Sequence, residues 1–90
     1  MEPRNILGTL SVLVQDAQTN QPLEDSIVSV LEITQAKQTD SRGIAFFYGL
    51  PAALATVVVE HENYEKSITQ TKIIPLPHST DVKVRLNPVR

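Results

Sequence analysis

Apolar residues recur along this chain at every second position, the spacing of half-buried strands, and not at the 3.6-residue spacing of an amphipathic helix. In residues 9–15, Leu10, Val12 and Val14 form one apolar face. Residues 26–32 put Ser26, Val28 and Val30 on one face, and residues 55–59 do the same with Ala55, Val57 and Val59. Residues 81–86 show the cleanest alternation, with Val82, Val84 and Leu86 facing in. Residues 35–39 read as a polar, edge-like strand, and residues 66–74 carry Thr and Ile at strand-favouring density. Residues 39–51 are the most telling stretch: a polar turn closes on Gly43, a short strand follows over residues 44–48, and Gly49-Leu50-Pro51 is expected to end it. The pattern predicts about seven short strands with turns every ~8–12 residues, the layout of a β-sandwich. Residues 60–66 allow one helical turn at most.

The predicted core is Leu10, Val12, Val14, Val28, Val30, Phe47, Leu50, Val57, Val59, Val82, Val84 and Leu86. With Ala45 and Phe47 turned inward, Ile44, Phe46 and Tyr48 face outward. Leu13 does so on the first strand, and Ile27, Leu31 and Ile33 on the second. Outer positions of a solvated sheet are normally polar. Two readings stand here. Scattered exposed apolar residues are ordinary, and a register slip of one would reverse every side chain. Otherwise Ile44, Phe46, Tyr48 and Leu13 form a contact face for another subunit or domain.

Composition narrows the function classes. The 90 residues fit a single domain spanning 1–90, with a core over about 8–88. A chain of this size buries only roughly 60–65% of its unfolded surface. It has no cysteine, so no disulfide or thiolate metal site holds it together. The scattered charges, 8 basic and 10 acidic, make no nucleic-acid stripe. No apolar run reaches the ~18 residues of a membrane helix. The polar residues 1–5 do not resemble a signal peptide. The expectation is a cytoplasmic or particle-associated protein, or a domain excised from a longer secreted one.

With the strands placed, the chain resembles the carboxypeptidase regulatory-like domain family. Asp16, Thr19 and Pro22-Leu23 match that family's first loop, and residues 26–30 its small-x-Val-x-Val strand. Thr39-Asp40, Gly43, Phe47 and Leu50-Pro51 match its central motif. Asn63-Tyr64 stands where the family has Gly-Tyr, and Val82, Val84 and Leu86 match its closing strand. The resemblance covers residues ~8–88 and implies an all-β fold: one seven-stranded antiparallel Greek-key sandwich of transthyretin-like (prealbumin-like) type. Within it, Gly43 is expected at positive φ, Asp40 and Ser41 as acceptors in their turn, and Asn63 in the left-handed region. Tyr64 is expected to lay its ring over the core's end with its hydroxyl in water. Ala45 replaces a usual aromatic, and residues 53–55 replace Gly-x-Tyr, so that end of the core is light.

No constellation carries chemistry. The hydroxyisourate-hydrolysing branch of transthyretin-like proteins has an N-terminal His and a C-terminal Tyr-Arg-Gly-Ser, both missing here. His61 and His78 read as solvated loop residues, since Glu60, Glu62 and Asp81 are partners by type only. Related sandwiches in bacterial surface proteins cross-link a first-strand Lys to a last-strand Asn. Here Asn87 is present, but the first strand has Gln15 and no lysine. No catalytic, cofactor-binding or metal-binding residue is assigned, and no cofactor is expected. The reading is a non-catalytic structural module that docks a sheet face, or the polar edge at residues 35–39, onto a protein partner or a second copy. A component of a phage-tail-like or other multi-protein assembly would fit. The alternative is a carbohydrate- or peptide-binding accessory domain, for which only Phe46, Tyr48 and Tyr64 offer exposed aromatic surface. Nucleic acid and membrane insertion are not expected, and the chain offers little for a small-molecule ligand.

Overall fold

The computed structural model describes residues 6–89; the polar lead-in at residues 1–5 and the terminal Arg90 lie outside the described residues. Seven strands form in chain order: β1 Leu7–Asp16, β2 Ile27–Val30, β3 Gln35–Gln38, β4 Ile44–Pro51, β5 Leu54–Glu60, β6 Ser67–Lys72 and β7 Ser79–Leu86. They make two sheets, sheet A in the order β4-β1-β7 and sheet B in the order β3-β2-β5-β6. The result is an all-β, seven-stranded sandwich. Most neighbours are antiparallel, but β1 and β7 run parallel, with Val12 beside Val82 and Val14 beside Val84. Parity of apolar positions fixes which face a residue takes and leaves strand direction open.

The inner faces are the ones the alternation names. Leu10, Val12, Val14, Val28, Val30, Phe47, Leu50, Val57, Val59, Val84 and Leu86 are all buried. Val82, expected in the core, is only half-buried and packs against it from the edge strand β7, whose Val84 and Leu86 are buried. Ala45, Ala55 and Ile73 complete the core. Ile73 follows β6, and its amide donates to the Ala53 carbonyl at 3.0 Å. Its side chain thus enters at the end that the alanines leave light.

Three local departures from the expected elements have clear causes. β4 does not end at Tyr48. Gly8 pairs with Leu50 while Leu10 pairs with Phe47, so Tyr48 and Gly49 form a bulge. Gly49, at φ +67°, supplies the backbone that such a bulge needs. The inserted residue shifts parity, and Leu50 turns inward after Phe47. β2 stops at Val30, and Leu31–Ile33 form a 3-10 turn closed by Thr34 at φ 54°. The Glu32 carboxylate accepts the Thr56 amide and hydroxyl, both at 2.7 Å, where β2 would otherwise have continued beside β5. Ile33, expected on the outer face, consequently packs against the core. Thr39, expected on the polar edge, lies beyond β3 and is buried; its hydroxyl donates to the Leu23 carbonyl at 2.6 Å and accepts the Ser26 amide at 2.9 Å.

Candidate interaction face

The β1–β4 pairing builds the outer face of sheet A. Leu13 stands opposite Ile44, and Ser11 opposite Phe46. Leu13 and Ile44 are half-buried by their neighbours. Phe46 and Tyr48 are 44% and 65% exposed. Their rings stack with centroids 5.4 Å apart and planes 15° from parallel, an arrangement that adds attraction beyond area alone. Lys37 reaches across from β3: its ammonium donates to the Phe46 carbonyl at 2.7 Å and stands 5.5 Å from the Tyr48 ring centroid. This contact occupies the outer edge of β4 and sets a cation beside the Tyr48 ring. All four residues singled out in the sequence therefore meet on one face.

Sheet B carries a second outer apolar group that the sequence reading passed over in part. Ile27, expected outside, is exposed, and so is Ile68, which pairs with Val58. Residues 66–74 read as strand-like without either face being assigned, and the structure turns Ile68 outward. Its neighbours Gln70 and Lys72 hid the signal by making the face read as polar.

At the end of the sandwich where β1 finishes, polar side chains converge. Asp16 is nearly buried. One of its oxygens accepts the Gln18 and Thr19 amides at 2.7 and 3.0 Å, and the other accepts the Tyr64 hydroxyl at 2.6 Å. The expectation that this hydroxyl reaches water is thus corrected: the turn at Asn63, whose φ is 69°, aims the ring at β1. The Tyr64 hydroxyl, then the amides of Gln18 and Thr19, hold the Asp16 carboxyl below the usual aspartate range. The same bond pushes the Tyr64 phenol up. An aspartate so stabilised as the anion, with both oxygens engaged, is a poor proton acceptor and a good tether.

His61 is not simply solvated either. It is half-buried, edge-on to the Tyr64 ring at 5.1 Å, with Nδ1 2.8 Å from the Glu62 carbonyl and Nε2 3.0 Å from the Glu24 carbonyl. A neutral ring donates to one of these at a time, the imidazolium to both. An open cleft of about 430 Å³ lies beside this pair, rimmed by Asp25, Glu60, Glu62 and Lys66. Among the described residues, no cluster of three or more His, Asp or Glu side chains is arranged to hold a metal ion.

The neighbouring turn behaves as its residues suggest. Asp40 accepts the Arg42 and Ile44 amides at 2.9 and 3.0 Å, which, the Ile44 bond first, lowers its carboxyl pKa; Ser41 takes no such part. Gly43 sits at φ +78°, and a Cβ there would meet the Val14 carbonyl oxygen at 2.6 Å. For a cross-link of the surface-protein kind, the inward positions of β1 are Gly8, Leu10, Val12, Val14 and Asp16, with no lysine among them. Asn87 instead accepts the Glu65 amide on its carbonyl.

With this geometry in view, the fold has clear counterparts among solved structures. The chain is similar to the Bacillus anthracis TIE protein, with TM-score 0.78 and 16% identity over 92% of this chain and 17% of that one. It is also similar to the group B streptococcus pilus 2b backbone protein, with TM-score 0.68 and 13% identity over 91% of this chain and 41% of that one. The chain thus spans less than half the length of either. At these identities the likeness is one of fold. No protein-family model matches the chain. No curated protein matches it either.

Proposed function

We propose that this chain is a non-catalytic structural module that docks the outer face of sheet A onto a neighbouring subunit or domain of a multi-protein assembly. The observation that carries the reading is the stacked, exposed Phe46–Tyr48 pair beside Leu13 and Ile44, on a sheet whose outer side carries no further strand or helix among the described residues. Aromatic residues at such a place suit the core of an interface. A likeness in fold to a pilus backbone protein supports a structural role. So does the resemblance to carboxypeptidase regulatory-like domains, whose loop and turn residues Asp16, Thr39, Asp40, Gly43 and Tyr64 here do structural duty. Among the described residues neither histidine is hydrogen-bonded to a hydroxyl, and the ring nitrogens of His61 face the Glu62 and Glu24 carbonyls, which supports a role without catalysis.

Phe46→Asp tests the reading. It places a charge on the exposed face without touching the core, so the variant should melt like the wild type while its association with its assembly partner weakens by at least tenfold. Unchanged co-assembly with the neighbouring subunit or domain would remove the face from consideration.

A further inference from the structure

The outer edge of β7 is open. On its inner side β7 pairs with β1 from Ser79 to Leu86. The Ala17 amide donates to the Leu86 carbonyl, so the even-numbered residues of β7 direct their main-chain groups at β1. Strand alternation then turns those of Ser79, Asp81, Lys83 and Arg85 outward. Among the described residues, no main-chain group bonds them. The edge closes just beyond, where Asn87 is bonded by the Glu65 amide. The free stretch therefore runs from residue 79 to residue 85, with Val82 at its midpoint.

Val82 is also the one inner-face residue of β7 left half-buried, while Thr80, Val84 and Leu86 are buried. The charges on the outer face, Asp81, Lys83 and Arg85, have a matching symmetry. Reversed about Val82, the strand sets Asp81 against Lys83 and Ser79 against Arg85.

We propose that β7 pairs antiparallel with β7 of a second copy of this chain, about a two-fold axis at Val82. The outward amides and carbonyls of Asp81 and the partner's Lys83 then bond each other, twice by symmetry, and the two Val82 side chains cover one another. A two-fold axis at Lys83 would instead oppose two lysines and run into the occupied Asn87. The other edges fit a second copy less well. β4 is blocked by Lys37 at the Phe46 carbonyl, β3 is only four residues long, and a two-fold axis in β6 at Gln70 sets Ile68 against Lys72. Opposite charges across antiparallel strands attract and like charges repel, so the charge pattern selects both partner and register. The inference rests on reading the chain as an association module, but it uses a surface separate from Phe46 and Tyr48.

Sedimentation equilibrium of the 90-residue chain at low salt, from micromolar to millimolar, decides the matter with four variants. Wild type should form a reversible dimer. Asp81→Lys and Lys83→Asp, both at exposed positions, should keep the fold and each weaken the dimer by about tenfold, since both symmetric contacts turn repulsive. An equimolar mixture of these two should recover a heterodimer, and the double exchange Asp81→Lys/Lys83→Asp should recover the homodimer. Phe46→Asp should leave the dimer intact. A monomeric wild type, a dimer indifferent to the β7 charges, or single-variant losses that neither mixing nor exchange restores would each overturn the pairing. A dimer lost in Phe46→Asp yet indifferent at β7 would overturn it while supporting the aromatic face; the reverse result separates the two the other way.

Discussion

At the end of the sandwich where β1 finishes, a cluster of side-chain hydrogen bonds holds the loops; at the end where β1 begins, apolar packing is joined by fewer of them, chiefly the Ile74 amide donating to the Thr80 hydroxyl at 2.9 Å. The first end contains Asp16 with Tyr64, Thr39 with Ser26 and Leu23, and the Asp40 turn. The second contains Leu50 and Ile73 against Gly8 and Ala55, none of which has a polar side chain. The difference teaches how a small core is closed without disulfides. Where turns present many donors and acceptors, side-chain bonds fix the loops; where they present few, a long-range apolar residue such as Ile73 adds to what a single hydroxyl supplies.

The largest loss should come from breaking the apolar end. Ile73→Ala removes a fully buried side chain lying against Gly8, which has no side chain to fill the gap. We expect a destabilisation of about 3 kcal/mol, read as a fall in the urea midpoint at unchanged slope. A loss below about 1 kcal/mol would mean that this end collapses freely and that the contrast between the ends is weaker than drawn.

Thr39→Val tests the other end at nearly constant shape. It removes the donor to the Leu23 carbonyl and leaves the buried Ser26 amide without its acceptor. An unsatisfied buried group of this kind costs about 1–3 kcal/mol. The two variants lie at opposite ends and share no partner, so their effects should add to within about 0.5 kcal/mol. Marked non-additivity in the double variant would show that the two ends are energetically coupled.

The polar end was the more legible in sequence, for a physical reason. Asp16, Pro22-Leu23, Asp40, Gly43 and Asn63 act through turn geometry within a few residues, and residue type announces turn geometry. Gly43 and Asn63 indeed take positive φ. Contacts made across the fold were not legible. Tyr64 finds Asp16 from 48 positions away, and Lys37 reaches the Phe46 carbonyl between sheets. Ile73 lies past the last residue of β6, in a stretch whose apolar residues Ile68, Ile73 and Ile74 do not alternate. The outward set at Ile44, Phe46 and Tyr48 was readable because parity alone decides it, whereas Ile33 left that set when β2 gave way to a 3-10 turn. The parallel pairing of β1 with β7, which leaves the charged edge free, is likewise a property of topology and not of any local pattern.

The smallest effect, and the sharpest in form, concerns pH. The Tyr64 hydroxyl is the largest cause of the lowered Asp16 pKa. A carboxyl with a folded pKa below its unfolded one contributes stability that is complete above the unfolded value, about 3.9, and is lost as pH falls through the folded value. Tyr64→Phe keeps the ring, and with it the edge contact to His61, but removes the donor. The folded Asp16 pKa then rises toward the ordinary value and its contribution shrinks. Acid unfolding should therefore begin at higher pH in the variant, whereas between pH 6 and 8 the difference from wild type should be constant. Glu32 and Asp40, also lowered and bonded elsewhere, keep an acid slope in both proteins, so the comparison reads Asp16 alone. The alkaline side gives an independent check, because the same bond raises the Tyr64 phenol. Its stabilisation is present below the unfolded phenol pKa, about 10, and is lost as pH rises through the folded value, a loss the variant should lack. Identical acid and alkaline limbs in the two proteins would mean that the hydroxyl contributes nothing to tying Asp16, leaving Gln18 and Thr19 to hold that carboxylate.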